Sequence, residues 1–409
     1  MSLKCLRTSK IQNKTVLVRG SVDAPVDGRT GEIVDDFRLQ SFLPTIKLLL
    51  ANKNKVIICG KRGRPKGKKT ASLSLKPAAK LLADLLGYKF VETGHRMPDY
   101  KIPHVVFYTG DFREDKHQEN LGLAPDQNVV VLENLEFYEG ELENDPVFAK
   151  KLSEFADVYV DDDFSKVHHP VASNVGVTKY LPSYAGLLLE QEIKSLDMIL
   201  KSVKHPFVVM TGGIKLSEKV GTLKNLGEKA DRILVGGGVA NLFFKSKDLE
   251  IGLSKIEEGE MDAAWQIEKN FKDKLVLPTD VVVADEKMDR NSIRVTTPYA
   301  VGKKEQILDA GPKTILAFAE EIKKAKTILW SGPFGRFEQK PFHHATVALA
   351  RLLGGRGKGR AFVVAGGGET VDAIRLAHQL EHFDHVSTGG GAMLEYLAGK
   401  KLPGIEALK

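Results

Sequence analysis

The stretch AFVVAGGGETVDAI (361–374) decides the fold class of this chain. Its first part, AFVVAGG, is a short apolar run that ends in glycine, which is the pattern of a buried strand. The remainder has helical spacing and follows the glycines directly. A buried strand, a glycine turn and a helix in direct succession form one βα unit, and repeated units of this kind build parallel sheets.

The same alternation runs through almost the whole sequence, so we predict an α/β fold with parallel sheets. The run FRLQSFLPTIKLLLA (37–51) has helical spacing. The segment SLKPAAKLLADLLG (74–87) begins with a serine cap, carries proline in its first turn and stops at Gly87. The predicted strands are TVLVR (15–19), KVIIC (55–59), HVVFY (104–108), VVVLE (129–133), DVYV (157–160), FVVMT (207–211), RILVGG (232–237), VVVAD (281–285), TILW (327–330) and AFVVAGG (361–367).

The length of 409 residues exceeds what one ordinary hydrophobic core organises, so we expect two domains. The segment YAGLLLEQEIKSLDMILKSV (184–203) has a sustained apolar stripe with charges on its other face, as expected for a helix that joins domains. We therefore assign residues 1–182 to an N-terminal lobe, 183–203 to an interdomain helix, and the chain from 204 onward to a C-terminal lobe.

The charge balance permits an anionic small molecule as ligand but gives little support for nucleic acid. Sixty Lys and Arg against 53 Asp and Glu leave a net charge of +7, which is mild for this length. Only 9 Tyr and 2 Trp are present, and they do not alternate with basic residues as in a nucleic-acid platform. We expect no nucleic-acid partner.

The cysteines and the apolar runs indicate a soluble intracellular protein. Cys5 and Cys59 are the two cysteines, and Cys59 lies in the apolar run KVIIC, which predicts a buried free thiol rather than a disulfide framework. No apolar run approaches about 18 residues, and the N-terminal segment lacks the apolar core of a secretory signal. We expect a cytoplasmic protein without a membrane partner, with an organellar address left open.

Four glycine clusters follow predicted strands in the second half of the chain. Glycine lets backbone amides approach a ligand, and a following helix N-terminus favours an anion, so the placement suits phosphate. Tight βα turns also use glycine for structural reasons alone, but four clusters at one sheet edge favour a binding site. No G-x-x-x-x-G-K-[ST] or G-x-G-x-x-G occurs at such a position. The clusters are GGIK (212–215), GGGVAN (236–241), GGGETVDAI (366–374) and STGGGAMLEYL (387–397).

Basic residues accompany the glycine clusters and also mark strand ends in the first half. Lys215 and Lys219 are spaced to share one helix face and reach a polyphosphate, although two solvated lysines would show the same spacing. Arg19, Arg38 and the loop KRGRPKGKK (61–69) predict a basic edge for a small anion, or else a solvated basic loop. One glycine-rich and one basic domain together suggest phosphoryl transfer.

The sequence resembles the phosphoglycerate kinase family over essentially its whole length. The resemblance implies two Rossmann-like lobes with parallel sheets, joined by an interdomain helix and hinge. ATP or ADP with Mg²⁺ would bind the C-terminal lobe (204–390), the acid substrate would bind the N-terminal lobe, and residues 391–409 would return to the N-terminal lobe. The segments that carry the resemblance are GGIKLSEKVG, LPTDVVVAD, LDAGPKT, ILWSGPFGRFE, VVAGGGET and VSTGGGAMLEYLAGKKLPG.

The resemblance also implies roles for individual residues. Lys215 would be the catalytic lysine that follows the transferred phosphoryl group, and Arg38 would stabilise that group. Glu369 would hold Mg²⁺ through the nucleotide, at a position where the family has aspartate. The implied nucleotide-binding positions are Gly213, Lys215, Lys219, Gly237, Gly238, Pro333, Glu338, Gly367, Gly368, Glu369 and Thr370.

Several positions depart from the family pattern, most of them in the acid-substrate lobe. The family's Glu-Asn-Leu-Arg-Phe reads Glu-Asn-Leu-Glu-Phe here, so Glu136 stands where the family has arginine. Either Lys61 or Lys166 is placed to pair with this carboxylate. The acid-substrate positions are Ser21, Asp23, Arg38, Lys61, Arg64, Glu136 and His169, of which Arg38 and Arg64 keep the family residue. Departures in the nucleotide lobe are Ile214, Ile307, Ser331 and Glu369.

These departures leave three functions open. The first is reversible phosphoryl transfer between ATP and the carboxylate of 3-phosphoglycerate, as in glycolysis, although the altered residues argue against unmodified binding of this acid. The second is a kinase of the same fold with another acceptor, and the third is a non-catalytic relative with a nucleotide-binding or structural role. We expect a monomer unless the chain is a structural subunit.

The three consecutive aspartates Asp161, Asp162 and Asp163 do not predict a metal site, because neighbouring residues on a strand point to alternate faces.

Overall fold

The computed structural model describes residues 3–94, 102–122 and 128–409. The chain divides into two compact units. Unit 1 comprises Met1–Ile193 together with Lys401–Lys409, and unit 2 comprises Lys194–Lys400. No helix in the described ranges is long and apolar enough to cross a membrane.

Unit 1 contains a sheet in which every described pairing is parallel, with the strand order β3-β4-β5-β2-β1-β6-β7. The central strands are buried along their length, as their continuous apolar sequences predict. Because parallel strands run in one direction, their carboxyl ends meet at one edge. The strands are β1 Thr15–Gly20, β2 Lys55–Cys59, β3 Lys89–Thr93, β4 His104–Tyr108, β5 Val129–Leu132, β6 Val158–Asp162 and β7 Ser183–Ala185.

Helices connect these strands and cover the sheet. In α2, Pro77 occupies the first turn, and Gly87 ends the helix in the left-handed region with φ 70°, as its sequence predicts. The core of this unit includes Phe42 and Ile46 of α1 packed with Val16 and Val18 of β1. The helices are α1 Phe37–Ala51, α2 Lys76–Leu86, α3 Asp115–Gly122, α4 Glu139–Leu142, α5 Pro146–Ser153 and α6 Leu187–Lys201, the last of which continues into unit 2.

Unit 2 contains a second parallel sheet and a small antiparallel one. The strand order of the parallel sheet is β10-β9-β8-β14-β15-β16, and that of the other is β12-β11-β13. The strands are β8 Phe207–Thr211, β9 Arg232–Val235, β10 Leu275–Val276, β11 Val281–Asp285, β12 Arg294–Thr296, β13 Glu305–Ala310, β14 Thr327–Ser331, β15 Phe362–Gly366 and β16 His385–Ser387.

The predicted α/β class with parallel sheets is confirmed, but one strand does not follow the parallel pattern. VVVAD forms β11 with the expected bounds, yet it pairs antiparallel with both of its neighbours. The expectation that this run repeats the βα pattern is therefore wrong. A short run of four apolar residues that ends in aspartate suits either kind of sheet, and here two flanking strands lie close enough in sequence to fold back onto it.

The helices of unit 2 begin close to the glycine clusters. Gly237, Gly368 and Gly390 are the first residues of α8, α12 and α13. After α13 the chain returns to unit 1, where the amide of Gly404 donates a hydrogen bond to the carbonyl of Val167. The helices are α7 Val220–Gly227, α8 Gly237–Lys245, α9 Met261–Phe271, α10 Pro312–Lys324, α11 His344–Arg356, α12 Gly368–Leu376, α13 Gly390–Leu397 and α14 Pro403–Glu406 in unit 1.

A buried ionic network crosses the carboxyl ends of β1 and β6. The guanidinium of Arg19 is fully buried and lies 3.3 Å from Asp163 and 3.6 Å from Glu141. Ser173 accepts a hydrogen bond from Arg19 at 2.5 Å and donates its own hydroxyl to Glu141 at 2.5 Å. Burial would lower the pKa of Arg19, but Asp163 and Glu141 raise it, so the guanidinium stays charged.

Two further carboxyl groups, Asp161 and Asp162, lie beside this network. Burial raises the pKa of each to about 7, and Arg19 at Asp161, Thr45 at Asp162 and hydrogen bonds from backbone amides only partly oppose the rise. No group of three or more His, Cys, Asp or Glu within the described ranges could hold a metal ion. Asp161 accepts a hydrogen bond from the amide of Asp163 at 3.1 Å, and Asp162 accepts one from the amide of Leu189 at 3.0 Å.

The Arg19 network yields a stability prediction. Replacing Arg19 by methionine leaves Glu141 and Asp163 buried without their cation, and breaking such a pair costs about 3 to 5 kcal/mol. We expect Arg19→Met to lower the free energy of urea unfolding, followed by far-ultraviolet circular dichroism, by this amount. Arg29→Met is the matched control, because the side chain of Arg29 is 93% exposed. A loss of stability below about 1 kcal/mol for Arg19→Met would contradict the role of Arg19 as the buried cation that Glu141 and Asp163 require.

Candidate functional site

The turns that follow β8 and β14 meet at the middle of the unit 2 sheet. From β8 the chain proceeds to β9 and β10 on one side, and from β14 it proceeds to β15 and β16 on the other. Open parallel sheets bind ligands at the carboxyl ends of the strands where the order reverses in this way. The amide of Gly213 donates a hydrogen bond to the carbonyl of Pro333 at 2.8 Å across this point.

A cavity of about 370 Å³ opens at this junction. Its volume falls within the range of small-molecule sites. It brings together six of the residues that the sequence predicted to bind nucleotide: Gly213, Gly237, Gly238, Pro333, Glu338 and Glu369. Apolar lining comes from Phe244, Pro278, Val281, Leu308 and Phe334.

Close backbone packing explains why glycine is required at one of these turns. Gly237 has φ 60°, in the left-handed region. A Cβ atom at this position would lie 2.8 Å from the amide nitrogen of Gly213 and 2.8 Å from the carbonyl oxygen of Pro333. Any larger residue would therefore push apart the turns that follow β8 and β14.

Two charged side chains converge beside the first of these turns. A Cβ atom built on Gly213 would lie 3.4 Å from Oε2 of Glu369 and 3.8 Å from Nζ of Lys219. Lys219 is largely buried and donates to the carbonyl of Lys215 at 3.0 Å. Burial lowers the pKa of Lys219, while nearby Glu218 and Glu369 oppose the shift.

Lys215 lies in a different environment from Lys219, and the prediction that the two share one helix face is wrong, because α7 begins only at Val220. Its side chain is 65% exposed and forms an ion pair with Glu218 at 3.0 Å. An exposed lysine on a flexible stem can follow a moving anion, whereas a buried lysine serves a fixed one. The two lysines that sequence spacing grouped together are therefore suited to different tasks.

The carboxylate of Glu369 suits a magnesium ion that arrives with a nucleotide. Mg²⁺ keeps several waters and is usually held by one or two carboxylates together with substrate phosphates. Glu369 is such a carboxylate, and it lies beside glycine turns whose amides suit phosphate. A dedicated cage of three or more protein ligands is absent from the described ranges. The residues fit a metal that is shared with phosphate.

The remaining predicted nucleotide residues support the same turns. Thr370 is buried, and its hydroxyl accepts a hydrogen bond from the amide of Gly332 at 2.7 Å, next to Pro333. Gly367 lies in the left-handed region, with φ 104°, immediately before α12, which begins at Gly368. Thr370 lies in α12, the helix after β15, and from there it positions the turn that follows β14.

Several cavity residues were not singled out from the sequence. Asp309 is buried, and its carboxyl group accepts hydrogen bonds from the amides of Ala310 at 2.9 Å and Ala345 at 3.1 Å. Burial raises the pKa of Asp309 to about 7. The segment LDAGPKT was the only signal that pointed to it. Further polar lining residues are Asn241, Lys255, Gln306 and Arg336.

Two family departures fall in the wall of the cavity. Ile214 and Ile307 both line it, so the bulky side chains found at these positions border the space that a ligand would enter. Ser331, the last residue of β14, is buried, but it is not among the lining residues. The cavity therefore has a partly different lining from the family pattern, although its glycine turns are in place.

Two arginines of the basic edge predicted for unit 1 do not lie at that edge in the structure. Arg19 does not reach the edge, because its guanidinium is enclosed between Glu141 and Asp163. Arg62 is also buried, and it donates hydrogen bonds to the backbone carbonyls of Ala24, Ser72 and Ser74. These two arginines are structural. The prediction that strand-end arginines collectively face a ligand is wrong for them.

Asp23 pairs with two of the cations that do lie at this edge, Lys61 and Arg38. Its carboxylate accepts a hydrogen bond from Nζ of Lys61 and another from the amide of Gly63 at 3.0 Å. Arg38 lies 3.5 Å from the same carboxylate and donates to the backbone carbonyl of Asp23 at 2.9 Å. Burial would raise the pKa of Asp23, but Lys61 and these hydrogen bonds lower it below its ordinary value.

Glu136 forms the second ion pair of this edge. Its carboxylate lies 2.6 Å from Nζ of Lys166, and its side chain is 4% exposed. Of the two lysines that the sequence offered as partners, Lys166 is the one used, since Lys61 is paired with Asp23. Sequence position alone could not separate these alternatives, because both lysines occupy loops at the same sheet edge.

The other predicted acid-substrate positions differ in exposure. Ser21 is buried, and its hydroxyl has no hydrogen-bond partner in the part of the chain that the structure describes. Arg64 is exposed and makes no ion pair with a described residue. His169 is exposed, and its ring lies 4.0 Å from that of His168.

The fold and the cavity define the class of protein: an α/β protein of two units with parallel sheets, with a glycine-lined cleft at a carboxyl edge of unit 2. The sequence profile of the family described as phosphoglycerate kinase matches residues 6–400. The chain therefore belongs to the phosphoglycerate kinase family.

Individual relatives agree with this assignment. The chain is 39% identical to the phosphoglycerate kinase of Desulforapulum autotrophicum, over 99% of this chain and 100% of the relative. It is 38% identical to the chloroplastic phosphoglycerate kinase of Chlamydomonas reinhardtii, over 98% of this chain and 85% of the relative. The solved structure of the Coxiella burnetii phosphoglycerate kinase has 34% identity and a TM-score of 0.82, with 100% of this chain and 99% of that chain covered.

A glycine substitution tests the contact between the turns. We expect Gly237→Ala to weaken binding of MgADP at least about tenfold in calorimetric titration, because its Cβ would separate Gly213 from Pro333. Gly355→Ala in α11 is the matched control, since a Cβ there meets nothing within 4 Å and alanine favours a helix. Unchanged affinity in Gly237→Ala would show that the close packing of these turns does not matter for binding.

Proposed function

We propose that this chain catalyses reversible phosphoryl transfer between ATP and the carboxylate of 3-phosphoglycerate. The observation that carries the proposal is the cavity of unit 2, whose glycine turns and Glu369 lie beside the ammonium of Lys219. Membership of the phosphoglycerate kinase family supports it. Phosphoryl transfer depends mainly on positioning and charge neutralisation, and the cavity supplies groups for both.

In this proposal the residues of unit 2 divide the work between binding and transfer. The amides of the glycine turns and the ammonium of Lys219 hold the nucleotide phosphates. Glu369 orients Mg²⁺, which neutralises phosphate charge when it is bound. Lys215 is exposed, so its ammonium can accompany the phosphoryl group during transfer. Pro333 and Glu338 border the rest of the nucleotide site.

Arg38 supplies the positive charge from unit 1. Its side chain is 32% exposed and is held from one side by Asp23. A guanidinium positioned in advance by a carboxylate is a suitable donor to the oxygens of a phosphoryl group in transfer. The same Asp23 reduces the net charge of this edge of unit 1, so we propose that Arg38 acts with a weaker field than an unpaired arginine would have.

One observation favours a second candidate, in which the acceptor is another acid or catalysis is lost. The ion pair between Glu136 and Lys166 places a buried carboxylate at the edge of unit 1. A carboxylate about 4 Å from a phosphate costs roughly 4 kcal/mol per charge pair at an effective dielectric near 20. Loss of one charge-assisted hydrogen bond adds about 1.5 to 3 kcal/mol. We therefore propose weak binding of 3-phosphoglycerate together with ordinary binding of nucleotide.

We further propose a cytoplasmic protein that acts as a monomer on small molecules. The single-chain cavity of unit 2 is formed without a second subunit. The mild net charge of +7 gives no reason to invoke a nucleic-acid partner.

Two lysine substitutions test the proposed division of work. We expect Lys215→Met to lower kcat at least about a hundredfold with little change in MgADP affinity, because its ammonium acts during transfer. We expect Lys219→Met to weaken MgADP binding at least about tenfold, because this lysine faces the phosphates in the ground state. A coupled assay with ATP and 3-phosphoglycerate, together with calorimetry, measures both effects.

Lys224→Met is the control, since Lys224 is an exposed lysine of α7. Nucleotide binding without any turnover of 3-phosphoglycerate would reject the proposed reaction and favour the second candidate. Equal effects of Lys215→Met and Lys219→Met on binding and turnover would reject the division between them.

A further inference from the structure

Four loops at the carboxyl edge of the unit 1 sheet are joined by a continuous set of contacts. Arg38 binds Asp23 in the loop after β1, and Asp23 in turn binds Lys61 in the loop after β2. That loop is tied to the segment after β5 through the amide of Gly67, which donates to the carbonyl of Glu136 at 3.0 Å. The carboxylate of Glu136 then reaches Lys166 in the loop after β6. The contacts therefore run from Arg38 at one end to Lys166 at the other.

The Glu136 end of this set is more deeply enclosed than the Arg38 end. The side chain of Glu136 is 4% exposed and that of Lys166 is 14% exposed, against 32% for Arg38. Among the described residues, Lys166 is the only cation that pairs with the Glu136 carboxylate. A buried carboxylate whose single cation is withdrawn carries a large penalty. Any ligand anion that draws Lys166 away must therefore leave Glu136 buried and unpaired.

We infer that Glu136 is a specificity-determining residue that competes with the phosphate group of an acceptor for Lys166. This inference rests on the proposed function, in which the reacting carboxylate lies near Arg38. The distal group of the acceptor then lies toward Lys166, at the other end of the contacts. A distal phosphate has to displace Glu136 from Lys166, whereas a distal hydroxyl does not.

The consequence is selection by charge. An acid with a neutral distal group keeps the ion pair intact and meets no like charge at this end of the site. An acid with a distal phosphate places its negative charge next to Glu136, which repels it. The same phosphate also separates Glu136 from Lys166 and leaves the buried carboxylate unpaired. The edge of unit 1 therefore discriminates against phosphorylated acceptors relative to the corresponding hydroxy acids, and Glu136 is the residue responsible.

The test compares two acceptors that differ only in the distal group. Calorimetric titration of the full chain with 3-phosphoglycerate and with glycerate gives a ratio of affinities for the wild-type protein and for Glu136→Gln. The amide keeps the size of the side chain and removes its charge, so Lys166 becomes available. We expect affinity for 3-phosphoglycerate to rise at least about tenfold and affinity for glycerate to change less than about twofold.

Two further variants make the result specific. Glu143→Gln removes an exposed acid of the same segment and should leave both affinities unchanged. The double variant Glu136→Gln with Lys166→Met removes the pair without leaving a buried charge, and the gain for 3-phosphoglycerate should disappear. Thermal unfolding of each variant checks that the fold is retained.

An unchanged ratio in Glu136→Gln, or an equal change for both acids, would overturn the inference. A gain that persists in the double variant would overturn it as well, because Lys166 would not be the group in competition. The readout is binding and requires no turnover. An absence of turnover in the coupled assay would reject the proposed reaction without altering the affinity ratio measured here.

Discussion

Parallel strand pairing is the constraint on which the rest of the structure depends. In unit 2, the register that sets Phe207 opposite Thr327 brings the carboxyl ends of β8 and β14 to the same level of the sheet. The turns that follow are then close enough for Gly213 to donate to Pro333. Side chains larger than hydrogen do not fit between them, and the cavity forms at the point where the strand order reverses.

The same constraint acts in unit 1 with a different chemical result. Its strand ends also gather at one edge, but three of the cations there are paired with carboxylates of the protein itself, while Arg64 is exposed. Asp23 holds Lys61 and Arg38, while Glu136 holds Lys166. One unit therefore presents backbone amides and a buried lysine beside an open cavity, and the other presents cations of which three are already paired with carboxylates. This contrast is the basis for proposing ordinary nucleotide binding and weak binding of a phosphorylated acid.

Patterns that depend on neighbouring residues were predictable from the sequence, and pairings between distant residues were not. The runs KVIIC, HVVFY and FVVMT became strands with the predicted bounds, because their continuous apolar sequences leave little choice of structure. The direction of pairing for VVVAD depends on its neighbours, so its antiparallel sheet was missed. Arg19 was placed at the edge because its partners, Glu141 and Asp163, lie far away in the sequence. Its burial could have been suspected from the acidic run that ends β6, whose charges inside a buried strand require a cation.

The central claim is that the chain has kept a nucleotide site and weakened an acid site. Calorimetric titration of the wild-type protein with MgADP and, separately, with 3-phosphoglycerate tests it most directly. The paired charges of unit 1 predict that 3-phosphoglycerate binds at least about a hundred times more weakly than MgADP. Equal affinity for the two ligands, or binding of the acid without binding of the nucleotide, would contradict the account.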